Sequence, residues 1–129
     1  MSDAPNLDPG VSGFQLPPLW SRSIVLKDES VNVTGISAKM VTFLTDCAAL
    51  HEALFFKPLC VTSGHDGQHT PGSKHSQWKA VDVRCSDLDR AGQVLFLSCL
   101  AYICTDHGMA IFDERSLPGA GHIHIEEAG

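Results

Sequence analysis

Three features are scarce in this chain: positive charge, long apolar runs and paired cysteine motifs. Nine Lys and Arg stand against fifteen Asp and Glu among 129 residues, which leaves a net charge of −6 with histidine neutral. A protein that binds nucleic acid through its phosphates needs a basic stripe, so we expect no nucleic-acid partner. Residues 91–105 form the longest uncharged, apolar-rich stretch, and it is shorter than the roughly 20 residues of a membrane span. We therefore expect no membrane insertion and interpret this stretch as a buried helix.

The cysteines and the N-terminal composition indicate a compartment. Five cysteines are an odd number, and none form a CxxC spacing, which is typical of neither a disulfide framework nor a zinc finger. The first twenty residues contain no Lys or Arg and no continuous apolar segment, so they lack the parts of a secretory signal. The sequence thus predicts a protein that is cytoplasmic as synthesised. It would reach a target outside the cell only if something else carried it there.

Proline concentrates at the N-terminus. Residues 1–22 hold four of the seven prolines and two of the eleven glycines. This composition favours extended chain over helix or sheet. We expect residues 1–22 to form an extended, Pro-rich arm and residues 23–129 to form one folded domain.

Residues 36–54 have the periodicity of a helix. Their apolar side chains recur in steps of three and four, as one buried helix face requires. Either Ser37 or Thr34 is a suitable N-cap, and Pro58 excludes continuation of the helix. The sequence predicts one long helix here.

A second helix and several strands complete the pattern. Residues 88–106 are predicted to be helical, capped by Ser86 or Asp87 and ended by Gly108. Short apolar or alternating segments predict strands at residues 59–62, 80–85, 109–112 and 122–126, with a strand or loop at 23–27. The order of elements predicts an α+β domain with a small, mostly antiparallel sheet and two main helices.

Asp82 is an unusual residue for its position. It interrupts an apolar strand between Val81 and Val83, where a carboxylate is costly unless it is paired or bound to a cation. His75 precedes it by seven positions, in a polar loop. This pair alone is a weak signal, because a loop histidine and an aspartate bonded to backbone or to Arg84 have the same pattern.

The second group of interest is His122-Ile123-His124, in the last predicted strand. Residues two apart on a strand point to the same face, so both imidazoles project together. They are either two metal ligands or one ligand with an acid–base partner, and the alternative is an edge strand with incidental histidines. His75, Asp82 and one histidine of this strand supply three nitrogen and oxygen ligands, and a fourth position left to water is typical of catalytic zinc.

These motifs resemble a known family. Val61-Thr62-Ser63-Gly64, a Gly-rich loop, Ser73-x-His75, Ala80-Val81-Asp82-Val83 and Ile123-His124-Ile125-Glu126 are similar to the M15 zinc peptidases. That group includes D-Ala-D-Ala carboxypeptidases and phage L-Ala-D-Glu endolysins, and shares its zinc-site fold with the hedgehog signalling domain. The resemblance covers residues 36–127. It implies a hedgehog/DD-peptidase-like fold with His75, Asp82 and His124 as ligands of Zn²⁺.

The chain also departs from the family pattern at several positions. Relatives often carry Ser-Gly-Tyr-Arg after the first strand, with the Arg meeting a substrate carboxylate, whereas this chain has Ser63-Gly64-His65-Asp66. Gly121 stands where many relatives have a catalytic carboxylate, and Lys79 stands where they have glycine. His122 fits the His-x-His variant of some members.

The resemblance implies zinc-assisted hydrolysis of a peptide bond in peptidoglycan stem peptides. His122 is the expected proton carrier, with Glu114 as a rival base that is otherwise a solvated loop carboxylate. Glu126 is expected to orient a ligand. The candidates for substrate contacts are His65, Asp66 and Ser73, for which plain loop polarity is the alternative.

Two other classes of function stay open from the sequence. One is a zinc-binding but catalytically inactive domain used for recognition or assembly. The other is a virion or tail component with the Pro-rich arm as its docking element. A short domain without a separate wall-binding module suits a phage lysis enzyme, which would act on the cell wall once released or virion-associated.

Overall fold

The computed structural model describes residues 23–65, 74–116 and 121–128. Two long helices, α1 (Ala38–Phe55) and α2 (Arg90–His107), pack on a five-stranded sheet, and a 3-10 helix spans His75–Gln77. The strands are β1 (Ile24–Leu26), β2 (Leu59–Ser63), β3 (Ala80–Arg84), β4 (Met109–Asp113) and β5 (His122–Glu127). The predicted α+β fold with a small, mostly antiparallel sheet is confirmed. The predicted N-terminal arm, Asp66 and Ser73 lie outside the described residues.

The sheet has the order β1-β2-β3-β5-β4. The pair β1–β2 is parallel, and the pairs β2–β3, β3–β5 and β4–β5 are antiparallel. The last strand in the chain therefore lies between β3 and β4, in the interior of the sheet. This position makes β5 an interior strand, and the alternative prediction that it is an edge strand is wrong.

Helix α1 begins as the sequence predicts. Ser37 is the N-cap, and its hydroxyl accepts a hydrogen bond from the Met40 amide at 3.0 Å. Thr34, the alternative cap, instead donates its hydroxyl to Asn32 Oδ1. The helix ends at Phe56, whose backbone is left-handed (φ 59°) and whose amide donates to a carbonyl of the last turn. Its buried face forms one side of the core.

Helix α2 begins later than predicted, and both predicted N-caps are wrong. The N-cap is Asp89, whose carboxylate accepts from the Gly92 amide at 2.7 Å. Ser86 and Asp87 lie before it in a turn closed by a hydrogen bond between Leu88 N and Cys85 O. Asp87 Oδ2 lies 3.4 Å from Lys57 Nζ. Aspartate is a favourable N-cap residue at either position. The turn before the helix places Asp89, and not Asp87, at the start of α2.

The prediction that residues 91–105 form a buried helix is correct for the helix and wrong for its burial. Only one stripe, Phe96, Leu100 and Cys104, is buried on α2. Tyr102 is 81% exposed and Val94 is 50% exposed. One face of the helix packs on the sheet and α1, so the other faces meet solvent. No helix in the described part of the chain is long and apolar enough to span a membrane.

The two faces of the central strands have different chemistry. The alternate residues Val81, Val83, Ile123 and Ile125 are fully buried in the core under the helices. Their neighbours along each strand therefore point to the opposite face. That face carries Asp82 and Arg84 of β3 and, across from them, the polar residues of β5.

The corrected N-cap can be tested by a pair of substitutions. Asp89→Ala should lower the free energy of unfolding by about 1 kcal/mol, because the Gly92 amide loses its acceptor. Asp87→Ala removes only an exposed ion pair and should cost about half of that or less. Urea unfolding of both variants measures the difference, and a larger loss for Asp87→Ala would contradict the assignment.

Candidate metal centre

His75 is held by a backbone carbonyl. Its Nδ1 lies 2.8 Å from Gly64 O, and since a carbonyl only accepts, Nδ1 carries the proton and donates. Gly64 follows β2 and is close to another chain segment, because a Cβ at this position would lie 2.2 Å from Asn32 O. Glycine therefore permits the approach that aims Nε2 of His75 at the sheet.

Three donor atoms meet at one point above the sheet. Asp82 and His124 are register partners on β3 and β5, and His124 Nδ1 lies 3.0 Å from Asp82 Oδ1. His75 Nε2 lies 3.2 Å from His124 Nδ1 and 3.4 Å from Asp82 Oδ1. In tetrahedral coordination with bonds of about 2.0–2.1 Å, ligand atoms are about 3.3–3.4 Å apart. At 3.0–3.4 Å from one another, the three atoms are close to the spacing of one face of a tetrahedral metal site.

Burial supports a cation at this point. His75 and Asp82 are 6% and 7% exposed, and with His51 they are the buried polar side chains of the described core. A buried carboxylate is stable only with positive charge and hydrogen bonds around it. The group of His75, Asp82 and His124 can therefore hold a metal ion, as the sequence predicts.

Glu126 supports His124 from the side away from the donor atoms. Its carboxylate Oε1 lies 2.9 Å from His124 Nε2, so Nε2 donates and Nδ1 faces the other two donors. Carboxylates in this position fix the tautomer of metal-binding histidines and raise their basicity. Glu126 has the orienting contact that we expected from its place on the strand.

Burial, hydrogen bonds and charges within the site shift two pKa values. Burial alone raises the pKa of Asp82, but hydrogen bonds from His124 and His75 and the charges of His75 and His122 outweigh burial and hold this pKa well below its usual range. Burial lowers the pKa of His124, yet hydrogen bonds to Asp82 and Glu126 outweigh it and raise this pKa to about 9. Without metal, protons thus supply the positive charge that the buried carboxylate requires.

His122 and Glu114 form a pair beside these donor residues. Glu114 Oε1 lies 2.7 Å from His122 Nε2, and the same nitrogen lies 3.6 Å from Asp82 Oδ2. The sequence treats the two residues as rivals, but the structure makes them hydrogen-bond partners. Glu114 is therefore not simply a solvated loop carboxylate. The side chains of His122 and Glu114 are 22% and 30% exposed, so solvent reaches both.

Two further residues are of interest: His65, which the sequence predicts to contact substrate, and Phe112, which it does not. The His65 ring stacks on Trp78 with centroids 4.0 Å apart, and its role in substrate contact stays a prediction. Phe112, which the sequence analysis missed, is 48% exposed and its ring centroid lies 5.7 Å from that of His124. In the sequence, the place of Phe112 beside this centre is indicated only by its being an apolar residue near the end of a predicted strand.

No protein-family model matches the chain, and no curated protein matches it significantly.

Metal binding should compete with the proton on His124. Since Nδ1 must lose its proton to bind zinc and its pKa is about 9, apparent affinity should rise about tenfold per pH unit towards pH 9 and then level off. Chelator-buffered zinc titrations measure this. In Glu126→Gln, His124 loses a hydrogen bond to a carboxylate that raises its pKa, so the zinc affinity should level off at a lower pH. Affinity independent of pH in both proteins would contradict the assignment of His124.

Metal removal should destabilise the fold. A ligand that binds only the native state at about 1,000 times its Kd adds about 4 kcal/mol, on the order of 10 °C in Tm for a domain of this size. EDTA should lower Tm, zinc should restore it, and zinc should raise the Tm of His75→Ala far less than that of the wild type. If Tm is unchanged in protein from which the metal has demonstrably been removed, the site is not loaded with zinc.

Proposed function

We propose that this protein is a zinc-dependent peptidase that hydrolyses a peptide bond in bacterial cell-wall stem peptides. The observation that carries the proposal is the meeting of the donor atoms of His75, Asp82 and His124 at near-tetrahedral spacing, with the hydrogen-bonded pair of His122 and Glu114 beside them. Two imidazole nitrogens and one carboxylate oxygen, without a thiolate, form a donor set typical of catalytic rather than structural zinc.

The residues beside the ligands have the means to move a proton. A bound zinc ion would polarise the scissile carbonyl and lower the pKa of water towards neutrality. His122 Nε2 and Glu114 Oε1 share a hydrogen bond of 2.7 Å, so this pair can accept one proton and later return it to the leaving amine. Glu114 orients the imidazole of His122. The donor atoms of His75, Asp82 and His124 form a triangle, here called the donor triangle, and His122 lies at its edge, near Asp82 Oδ2.

The substrate class comes from the resemblance to M15 peptidases. The motifs around His75, Asp82 and His124 carry that resemblance, and Zn²⁺ is the metal it implies. A phage lysis enzyme that reaches the wall after release, or as part of a virion, is the context in which such a domain would act.

A recognition or assembly domain that binds zinc without catalysis is the second candidate. The glycine at position 121, where many M15 relatives have a carboxylate, favours it. Glu114 weighs against it, because a carboxylate from the end of β4 lies 2.7 Å from His122. This supplies an acid–base group from another segment of the chain, and we favour the enzyme.

Loss of either member of the pair should stop the reaction without loss of metal. His122→Ala and Glu114→Gln should each lower hydrolysis of stem peptides by about 10²–10⁴-fold and leave one zinc bound. The double variant should lose little more than the worse single variant, since the two act as a unit. Digestion of muropeptides with mass analysis of the fragments measures the rates.

His107→Ala is the matched control. His107 lies on α2 and pairs with Asp46 at 2.9 Å, apart from the residues of the centre, so its loss should not change the rate. Full activity in zinc-loaded His122→Ala would remove His122 from the mechanism. A wild type that cleaves no stem peptide would favour the recognition or assembly candidate.

A further inference from the structure

A polar cavity of about 330 Å³ opens beside the metal centre. Its walls include Asp82 and His122 from the centre, the hydroxyl residues Ser63 and Ser86, and two cationic residues, Lys27 and Arg84. Any molecule that reaches the donor triangle from this side therefore meets two positive charges, in a chain whose net charge is −6.

Arg84 is placed by the same register that builds the centre. It lies two residues after Asp82 on the same face of β3, which corresponds to about 7 Å along a strand. It is also the cross-strand partner of His122, and directly opposed residues have Cβ atoms about 4.5–5.5 Å apart. The guanidinium is thus rooted next to the proposed proton carrier.

Within the described part of the chain, no ion pair neutralises either cation. In residues 23–65, 74–116 and 121–128, no carboxylate lies within ion-pair distance of the side chain of Lys27 or Arg84. Asp82, the carboxylate that shares their cavity, has its oxygens engaged by the histidines of the centre. A half-buried guanidinium with unused donors is suited to a planar anion that accepts two hydrogen bonds.

We infer that Arg84 and Lys27 bind a carboxylate group of the substrate, next to the bond that is cleaved. This inference rests on the proposed peptidase function and adds the polarity of its substrate. Adjacent residues of a peptide are about 3.8 Å apart, so a carboxylate one or two residues beyond a scissile carbonyl at the donor triangle falls within reach of the cavity. In a stem peptide this group is either the C-terminal carboxylate or the free carboxylate of D-Glu.

Three peptides distinguish these two sources. The first is an N-acetylated stem peptide that ends in D-Ala-D-Ala, the second is its C-terminal amide, and the third carries an amide in place of the D-Glu carboxylate. Zinc-loaded wild type should prefer the first peptide over one of the two amides by about 10–100-fold in kcat/KM, the range expected for hydrogen bonds to a charged group. The amide that loses activity identifies the source.

The matched variants are Arg84→Gln and Arg90→Gln. Arg84→Gln should lose the preference chiefly through KM, and should hydrolyse the disfavoured amide as fast as wild type does. Arg90 is an exposed residue at the start of α2 and does not line the cavity, so Arg90→Gln should keep the preference. If Arg84→Gln does not fold, Lys27→Gln at its exposed position should show a smaller loss of the same kind.

Calorimetry with the three peptides separates the inference from the proposed function. If wild type cleaves none of them, the peptidase proposal fails. Carboxylate-dependent binding to the zinc-loaded protein that Arg84→Gln abolishes still supports the anion site. If wild type cleaves or binds all three peptides equally, or if Arg84→Gln keeps the full preference, the inference is overturned while the peptidase proposal stands on its own test.

Discussion

The pairing of Asp82 with His124 across β3 and β5 is the constraint on which the rest of the site depends. This register brings two donor atoms to 3.0 Å and also sets Arg84 opposite His122. The period of a strand is two residues, so a slip by one would turn the ligands into the core and expose the buried valines and isoleucines. The hydrophobic core under the helices therefore fixes the register, and the register fixes the geometry of the centre.

The sequence allowed the candidate metal-binding residues and the α+β fold to be predicted because both depend on local pattern. A lone carboxylate in an apolar strand and a His-x-His strand are visible as letters, and alternation assigns their faces. Helix periodicity and the capping Ser37 gave α1 its bounds within about two residues. These signals are short-range, and in the structure Asp82, His124 and Ser37 occupy the positions that the sequence predicts for them.

The remaining features depend on how segments fold against one another. Glu114 meets His122, eight residues further along, because β4 and β5 are antiparallel neighbours; the sequence indicated both residues but not their contact. The turn before α2 makes Asp89 the N-cap. The sequence does not reveal this turn, because Asp87 and Asp89 are equally suitable caps only two positions apart. The exposed side of α2 was missed because an uncharged, apolar-rich stretch looks buried when the layers that cover it are unknown.

The most direct test of the account is X-ray absorption at the zinc edge of the zinc-loaded protein. The donor triangle predicts two imidazole nitrogens and a carboxylate oxygen at about 2.0–2.2 Å, with a further oxygen or nitrogen donor completing the shell and no sulfur. His75→Ala should lose one imidazole from that spectrum or lose the metal. A sulfur shell at about 2.3 Å, or a wild-type protein that binds no stoichiometric metal, would contradict the assignment of His75, Asp82 and His124.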